Sequence, residues 1–400
     1  MKKNIVFSFL MIAVLLFSQT TPVYAAGVVG TGTPASCTEA ALDTALAGGG
    51  AVAFNCGGAA TIVITSVKTI NADTQIDGGG VITIDGNNAT RLFTVTAGDT
   101  LSLSNITLRR GDGDGGSGGA IYNNGTLNLT NVTIEDSTAT GSTDRGGAIY
   151  SATNSVGVTI ADSTFRRNTA FDRGGAIAMW GGSLTVSDSA FSQNTTSDSG
   201  SVDPDGGAIY FHPGSSNNSI SGSTFDRNIA ADDGGAILNA SPSLTITTST
   251  FDRNEAHGKT SFGAGGAFQQ HDPGANATIT LSTFSSNQVA MTTRNDHVYG
   301  GAIGHYSGVQ LTIANSTFTN NSVSKTLLGV GDARGGAIWV RANTTVYNST
   351  FNGNSILENG TGTAYGGSIA RTNGTFTVAN TIISSGSANG GANNCAGAIT

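Results

Sequence analysis

Gly234-Gly-Ala-Ile-Leu-Asn-Ala-Ser-Pro-Ser-Leu-Thr-Ile-Thr-Thr-Ser-Thr-Phe-Asp-Arg-Asn254 is one unit of a pattern that fills most of this chain. Its opening quartet, Gly-Gly-small-apolar, recurs nine times, at Gly118–Ile121, Gly146–Ile149, Gly174–Ile177, Gly206–Ile209, Gly234–Ile237, Gly265–Phe268, Gly300–Ile303, Gly335–Ile338 and Gly366–Ile369, with starts 28 to 35 residues apart. A period of that length marks an architecture in which each unit buries its apolar face only by stacking on its neighbours.

The closing motif, Phe-x-x-Asn, occurs seven times, at Phe165/Asn168, Phe191/Asn194, Phe225/Asn228, Phe251/Asn254, Phe284/Asn287, Phe318/Asn321 and Phe351/Asn354. The first and last units carry Ile134/Ser137 and Ile383/Gly386 in the matching places. From the first Gly to the Phe the distance stays at 16 to 19 residues, whereas from the Phe to the next Gly it ranges from 9 to 17. Insertions therefore gather in one loop per unit, on one side of the stack.

Between the motifs, Leu184-Thr-Val186, Leu244-Thr-Ile246, Leu311-Thr-Ile313 and Thr345-Val-Tyr347 alternate at period two, as strands do. About three short strands in a unit of roughly 28 residues make one turn of a parallel β-helix. In that fold the paired glycines permit a sharp turn before the strand, and the Ala and Ile point into a narrow core. The Phe residues stack from coil to coil, and the Asn residues are expected to take the left-handed turn and form a ladder.

Residues 1–25 read as a secretory signal peptide: Lys2 and Lys3, an apolar stretch from Ile5 to Phe17, and the small-residue cleavage site Val23-Tyr-Ala25. The apolar run is short for a membrane span and no second one follows, so no transmembrane helix is expected in the mature chain. Charged residues make up 11% of the sequence and glycine 58 of 400 positions, a composition of regular β structure rather than disorder. The formal net charge of −8, with no basic cluster, argues against nucleic acid or anionic lipid as partner.

Cys37 and Cys56 flank a predicted helix, Thr38–Ala47, with Leu42, Ala45 and Leu46 on one face and Gly48 as its stop. In an oxidising compartment the two thiols pair, contributing roughly 3 kcal/mol by loop-closure entropy. This segment, 26–60, caps the open edge of a β-helix spanning 61–386. Cys395 has no evident partner, and 387–400 forms a polar terminal segment that either caps its end or marks a sequence cut short.

The Gly-Gly-Ala-Ile and Phe-x-x-Asn pair resembles the repeats of the chlamydial polymorphic outer membrane proteins, and of bacterial secreted β-helix proteins that share them. The likeness covers about residues 118–386, and Cys37–Cys56 followed by Thr61-Ile-Val-Ile64 and Ile76-Asp-Gly-Gly79 is similar to the amino-terminal lead-in of that set. The resemblance implies a right-handed, pectate-lyase-like β-helix and an exported, often adhesive, protein of the cell surface or outer membrane. The chlamydial proteins continue into a membrane β-barrel; after residue 386 there is no room for its strands, so export through a barrel of its own is not expected.

Stacking in register turns sequence columns into surface stripes. Three places beyond the quartet the units carry Asn124, Ala152, Trp180, His212, Ala240, His271, Tyr306, Arg341 and Thr372. Trp180, His212, His271, Tyr306 and Arg341 are candidate glycan-binding residues, able to stack on or hydrogen-bond to a sugar; the competing expectation is that such rings fill grooves under the loops. Just before the glycines, Asp205 and Asp233 fall one rung apart. A carboxylate pair there would suit a retaining glycosidase or a calcium site, although Arg173 beside Asp205 suits a salt bridge equally well. Gly111-Asp-Gly-Asp-Gly-Gly-Ser-Gly118 alternates carboxylates and glycines like a calcium loop, making Asp112 and Asp114 candidate ligands, but it is a single copy, and no other cofactor is expected.

The reading is an all-β, right-handed parallel β-helix of eleven or twelve coils with a short amino-terminal cap helix. Its expected role is adhesin-like and non-enzymatic, presenting one face to glycans or other cell-surface components. The alternative is a polysaccharide lyase or glycoside hydrolase on the same fold. A third possibility, ice binding through threonines, is disfavoured by loops of unequal length.

Overall fold

The computed structural model describes residues 27–197, 203–259, 262–291, 296–326 and 330–399. The signal-peptide reading of 1–25 lies outside the described residues. The coil that starts at Gly234 shows the common plan: strand Ile237–Asn239, strand Leu244–Thr247, strand Thr250–Asp252, and the short strand Glu255–Ala256. Each pairs in parallel with its counterpart one coil on, Ile237 with Phe268, Leu244 with Ala277 and Phe251 with Phe284. Among the described residues this yields a 12-stranded sheet from the first position, a 22-stranded sheet from the second and third, and a 10-stranded sheet from the fourth. The twelve-stranded count agrees with the coil number expected from the period.

Corners are set by local chemistry. The first Gly of each quartet has positive φ, 77° at Gly118 and near +65° at the others, as at Gly234 and Gly265. Its partner has ordinary φ but no space: a Cβ on Gly266 would lie 2.1 Å from the carbonyl oxygen of Gly301 in the next coil. The first glycine is therefore required by angle and the second by proximity. Two further corners use left-handed residues, Thr248 at φ 48° between the second and third strands and Arg253 at φ 54° after the Phe. The left-handed residue is thus the one before the motif Asn, correcting the expectation that the Asn takes that turn. Its carboxamide is needed inside. Asn254 donates from both its backbone N–H and Nδ2 to Oδ1 of Asn287, at 3.0 and 2.9 Å, and Nδ2 also donates to the carbonyl of Phe225.

The phenylalanines from Phe165 to Phe351 form one stack, with centroids 4.6 to 4.9 Å apart and interplanar angles of 2 to 6°. Ile134 extends the column below Phe165, as the spacing implied. A second polar ladder flanks it: Ser249 donates its N–H to Oγ of Ser282, and its hydroxyl returns to the carbonyl of Thr247. Buried polar groups are tolerated here because every rung supplies the partner that the next one lacks.

The cap helix is Glu39–Leu46, with Thr38 as N-cap accepting from the N–H of Ala41 and Ala47 as C-cap. Leu42 and Ala45 are buried, and Cys37 and Cys56 form a disulfide. Glu39 holds the helix on the first coil by accepting from Thr65, Ser66 and the buried Lys68. Burial works against its charge, but these donors outweigh it and hold the carboxyl at about 2. Strands Val28–Val29 and Gly50–Phe54 already pair within the segment read as the cap. At the other end, Ser387–Ala388 and Cys395–Ala396 continue the ladders, and Cys395 is a free, exposed thiol. No helix among the described residues is long and apolar enough to cross a membrane.

Insertions follow the fourth strand. In four successive coils they stack into a small sheet of their own, Gly263–Ala264, Val298–Tyr299, Ala333–Arg334 and Ala364–Tyr365. Beneath it Val289, Met291, Val298, Val323 and Ala333 make a second, smaller core.

Candidate functional site

These loops rise beside the outer face of the 12-stranded sheet. That face and the loop edge together carry most of the candidate residues. The column just after the quartet runs through Tyr122, Tyr150, Ala178, Tyr210, Leu238, Gln269, Gly304, Trp339 and Ala370, each in register with the next. The column three places beyond lies beside it, because each member donates its N–H to the preceding coil, as Trp180 does to Ser151 and Tyr306 to Gln270.

Two aromatic clusters result. In the first, Trp180 stacks on His212 at 4.4 Å and on Tyr210 at 5.3 Å, while the guanidinium of Arg145 lies 4.0 Å from its ring centre on the side of the preceding coil. Arg173 lies over Tyr210. In the second, Tyr306 has His271 and Phe262 on the coil below, each 4.9 Å away, and Arg341 above at 4.4 Å. Trp339 stacks on Tyr299 at 4.3 Å. The expectation of free ring faces along a flat sheet is therefore corrected. Coil spacing is also the stacking distance of planar groups, so neighbouring coils cover both faces of Trp180 and of Tyr306 and leave their edges outward. Trp180, His212 and Tyr306 are half-buried, His271 and Arg341 exposed, and Tyr210 and Trp339 buried. Desolvation beside the neighbouring rings lowers the pKa of both imidazoles, with Arg173 and Arg145 adding to it at His212 and Arg173 at His271.

One member of this site, Phe262, escaped the column reading and enters from a loop. Tyr299 and the arginines over Trp180 and Tyr210, Arg145 and Arg173, come from the position before the paired glycines, and Arg341 from the column of Tyr306 itself. Buried beneath them, Gln269 has no hydrogen-bond partner among the described residues for either amide atom, nor has Nε1 of Trp339. The signal available in sequence was the alternation of Arg145 and Arg173 with rings one coil on.

Asp205 and Asp233 do fall one rung apart, since Gly206 donates its N–H to the carbonyl of Asp233. Their side chains are not offered to a substrate. They are only 7% and 6% exposed; Oδ1 of Asp205 accepts the N–H of Asp233 at 3.4 Å, and Oδ1 of Asp233 accepts that of Ala264 at 2.7 Å. Arg173 lies 3.4 Å from Asp205. Burial raises both carboxyls well above the ordinary value, with Asp232 adding repulsion at each. The sign of the stability effect follows. A raised folded-state pKa favours folding fully below the unfolded value, about 3.9, and that contribution is lost as pH rises through the folded-state value. Asp233→Asn keeps the oxygen that accepts from Ala264 and removes the buried charge. It is expected to melt with the wild type near pH 3.5 and above it at pH 7.5, which a melting series against pH would read.

In the glycine-rich loop, Asp114 donates its N–H to Oδ1 of Asp112. The guanidinium of Arg91 donates to the carbonyls of Gly113, Ser117 and Gly118. The loop oxygens thus face an arginine, where a calcium loop would turn them on the ion. Among the described residues no group of three or more His, Cys, Asp or Glu is placed to hold a metal.

The model of a family described as "Right handed beta helix region" matches residues 48–345. No curated protein matches the chain in sequence. Among solved structures the chain is similar to the crystal structure of PfbA, a surface adhesin of Streptococcus pneumoniae, at 15% identity and a TM-score of 0.47, over 94% of this chain and 93% of that one.

Proposed function

The chain belongs to the right-handed β-helix family, and from that premise we propose that it is an exported, adhesin-like protein of the cell surface that binds glycans or other surface components without turning them over. One observation carries the reading: two clusters of aromatic, imidazole and guanidinium groups lie along the outer face of one sheet, beside a raised loop edge. These groups lie outside the main core, where Trp180 packs against Tyr210, Leu238 and Ala240, and Tyr306 against Tyr299 and Trp339, in small clusters of their own. The Phe column, the aliphatic residues and the two polar ladders already fill the interior. The signal-peptide pattern and a repeat pair that resembles that of chlamydial surface proteins support export to the surface or outer membrane. Against a lyase or hydrolase stands the placement of Asp205 and Asp233, whose carboxylates are buried and engaged by backbone N–H groups.

The test is a glycan array and a cell-surface binding assay on purified protein, run beside a reducing-sugar and unsaturated-product assay. Trp180→Ala is expected to weaken binding severalfold, since it removes the plane that orders Arg145 and His212. Its melting temperature should change little, because the ring lies outside the main core. Turnover of any polysaccharide that disappears in Asp205→Asn would establish the enzymatic alternative instead.

A further inference from the structure

Along the aromatic face most arginines already have acidic partners. Arg145 pairs with Asp172 at 2.6 Å, Arg173 with Asp205, and Arg334 with Asp332. Arg341 differs. It is exposed, its guanidinium is held 4.4 Å from the centre of Tyr306, and among the described residues it has no ion-pair partner. His271, also exposed, completes a three-step ladder, its ring 4.9 Å from that of Tyr306. A guanidinium, a phenol and an imidazole thus project their edges from three successive coils.

We propose that this His271–Tyr306–Arg341 ladder holds an acidic saccharide, its carboxylate or sulfate on Arg341 and its hydroxyls against the edges of Tyr306 and His271. The proposal rests on the binding-face reading above and names the chemistry of its ligand. A guanidinium fork donates two parallel hydrogen bonds to a planar oxyacid group. Packing against Tyr306 restrains the arginine before binding, which lowers the ordering cost of association. Rung spacing, about 4.8 Å, is comparable with the length of one sugar residue, so successive rungs can address successive sugars. The net charge of −8 opposes a polyanion only at long range. Beyond about 10 Å that repulsion is screened at 0.1 M salt, whereas the guanidinium contact is not. Because the ring faces of Tyr306 are covered, the recognition is by hydrogen bonds and charge, not by stacking on the sugar.

The two tryptophans supply the assay: in a Trp180→Phe background only Trp339 emits, and its ring centre lies 6.2 Å from that of Tyr306. Hyaluronan hexasaccharide, heparin hexasaccharide and the neutral chitohexaose are titrated in turn. A saturable change with hyaluronan or heparin and a weaker one with chitohexaose is the expected result; the two acidic arms distinguish carboxylate from sulfate. Arg341→Ala is expected to weaken the acidic ligand at least about tenfold, as loss of a charged hydrogen bond does, with an unaltered melting curve. Arg341→Lys, which keeps charge without the fork, should fall between. Acidic binding that survives Arg341→Ala, or equal binding of chitohexaose, overturns the proposal. Neutral binding that Trp180→Ala abolishes and Arg341→Ala spares would leave the binding-face reading standing while removing this one. Absence of saccharide binding in all of these titrations would overturn this proposal, and absence of cell-surface binding as well would remove the binding-face reading.

Discussion

Gly266→Ala is expected to abolish the native stack around its coil, at a cost above 4 to 5 kcal/mol, the range reserved for severe backbone conflict. The added Cβ would lie 2.1 Å from the carbonyl oxygen of Gly301 and 2.5 Å from both C and O of Gln288. All three atoms are backbone, paired into parallel ladders on both sides, so none can rotate away. Gly79→Ala is the internal comparison: φ there is +59°, yet nothing lies within 4 Å of the new carbon. It should cost only the left-handed penalty of about 1 to 2 kcal/mol. Equal melting temperatures for the two variants would show that coil-to-coil approach does not set the requirement for the second glycine.

Phe251→Ala is expected to cost about 3 to 5 kcal/mol, the usual range for a deleted core aromatic. The ring is fully buried, with Phe225 and Phe284 each 4.7 Å away and tilted by only 4 and 2°. Its loss opens a gap in the middle of the column, and the Asn ladder on one side and the Ser ladder on the other hold the backbone too rigidly to close it. Both stacking contacts go with the apolar transfer energy. A melting curve unchanged by Phe251→Ala would contradict the continuous column.

The paired glycines made the coil register legible before any coordinates, because they repeat at one fixed corner and insertions fall elsewhere. From that register followed the Phe stack, the Asn ladder and the outward column that includes Trp180 and Tyr306. The left-handed corner was misplaced by one residue. A carboxamide suits either role in isolation, and only the demand for three partners inside the core assigns Asn254 there and Arg253 to the turn. The Ser ladder was hidden in plain sight within the Ser-Thr-Phe step, since a serine beside a turn has many uses. Ring orientation was not legible at all. It depends on the coincidence of coil spacing with stacking distance, and on Phe262 arriving from a loop of irregular length. The exposure of Asp205 and Asp233 was likewise a property of those loops, not of the repeat.

The disulfide between Cys37 and Cys56 has a mechanical consequence. It encloses helix Glu39–Leu46 and strand Gly50–Phe54 in a covalent ring. Tension applied at the amino-terminal side therefore bypasses the cap helix through sulfur and passes directly to the coils beyond. Those coils meet the load as a series of nearly identical links, each held only by its two neighbours. Under a steady pull they would yield one at a time, so that the protein lengthens in increments and dissipates work at each, in the manner of a tear-away seam on an anchor line.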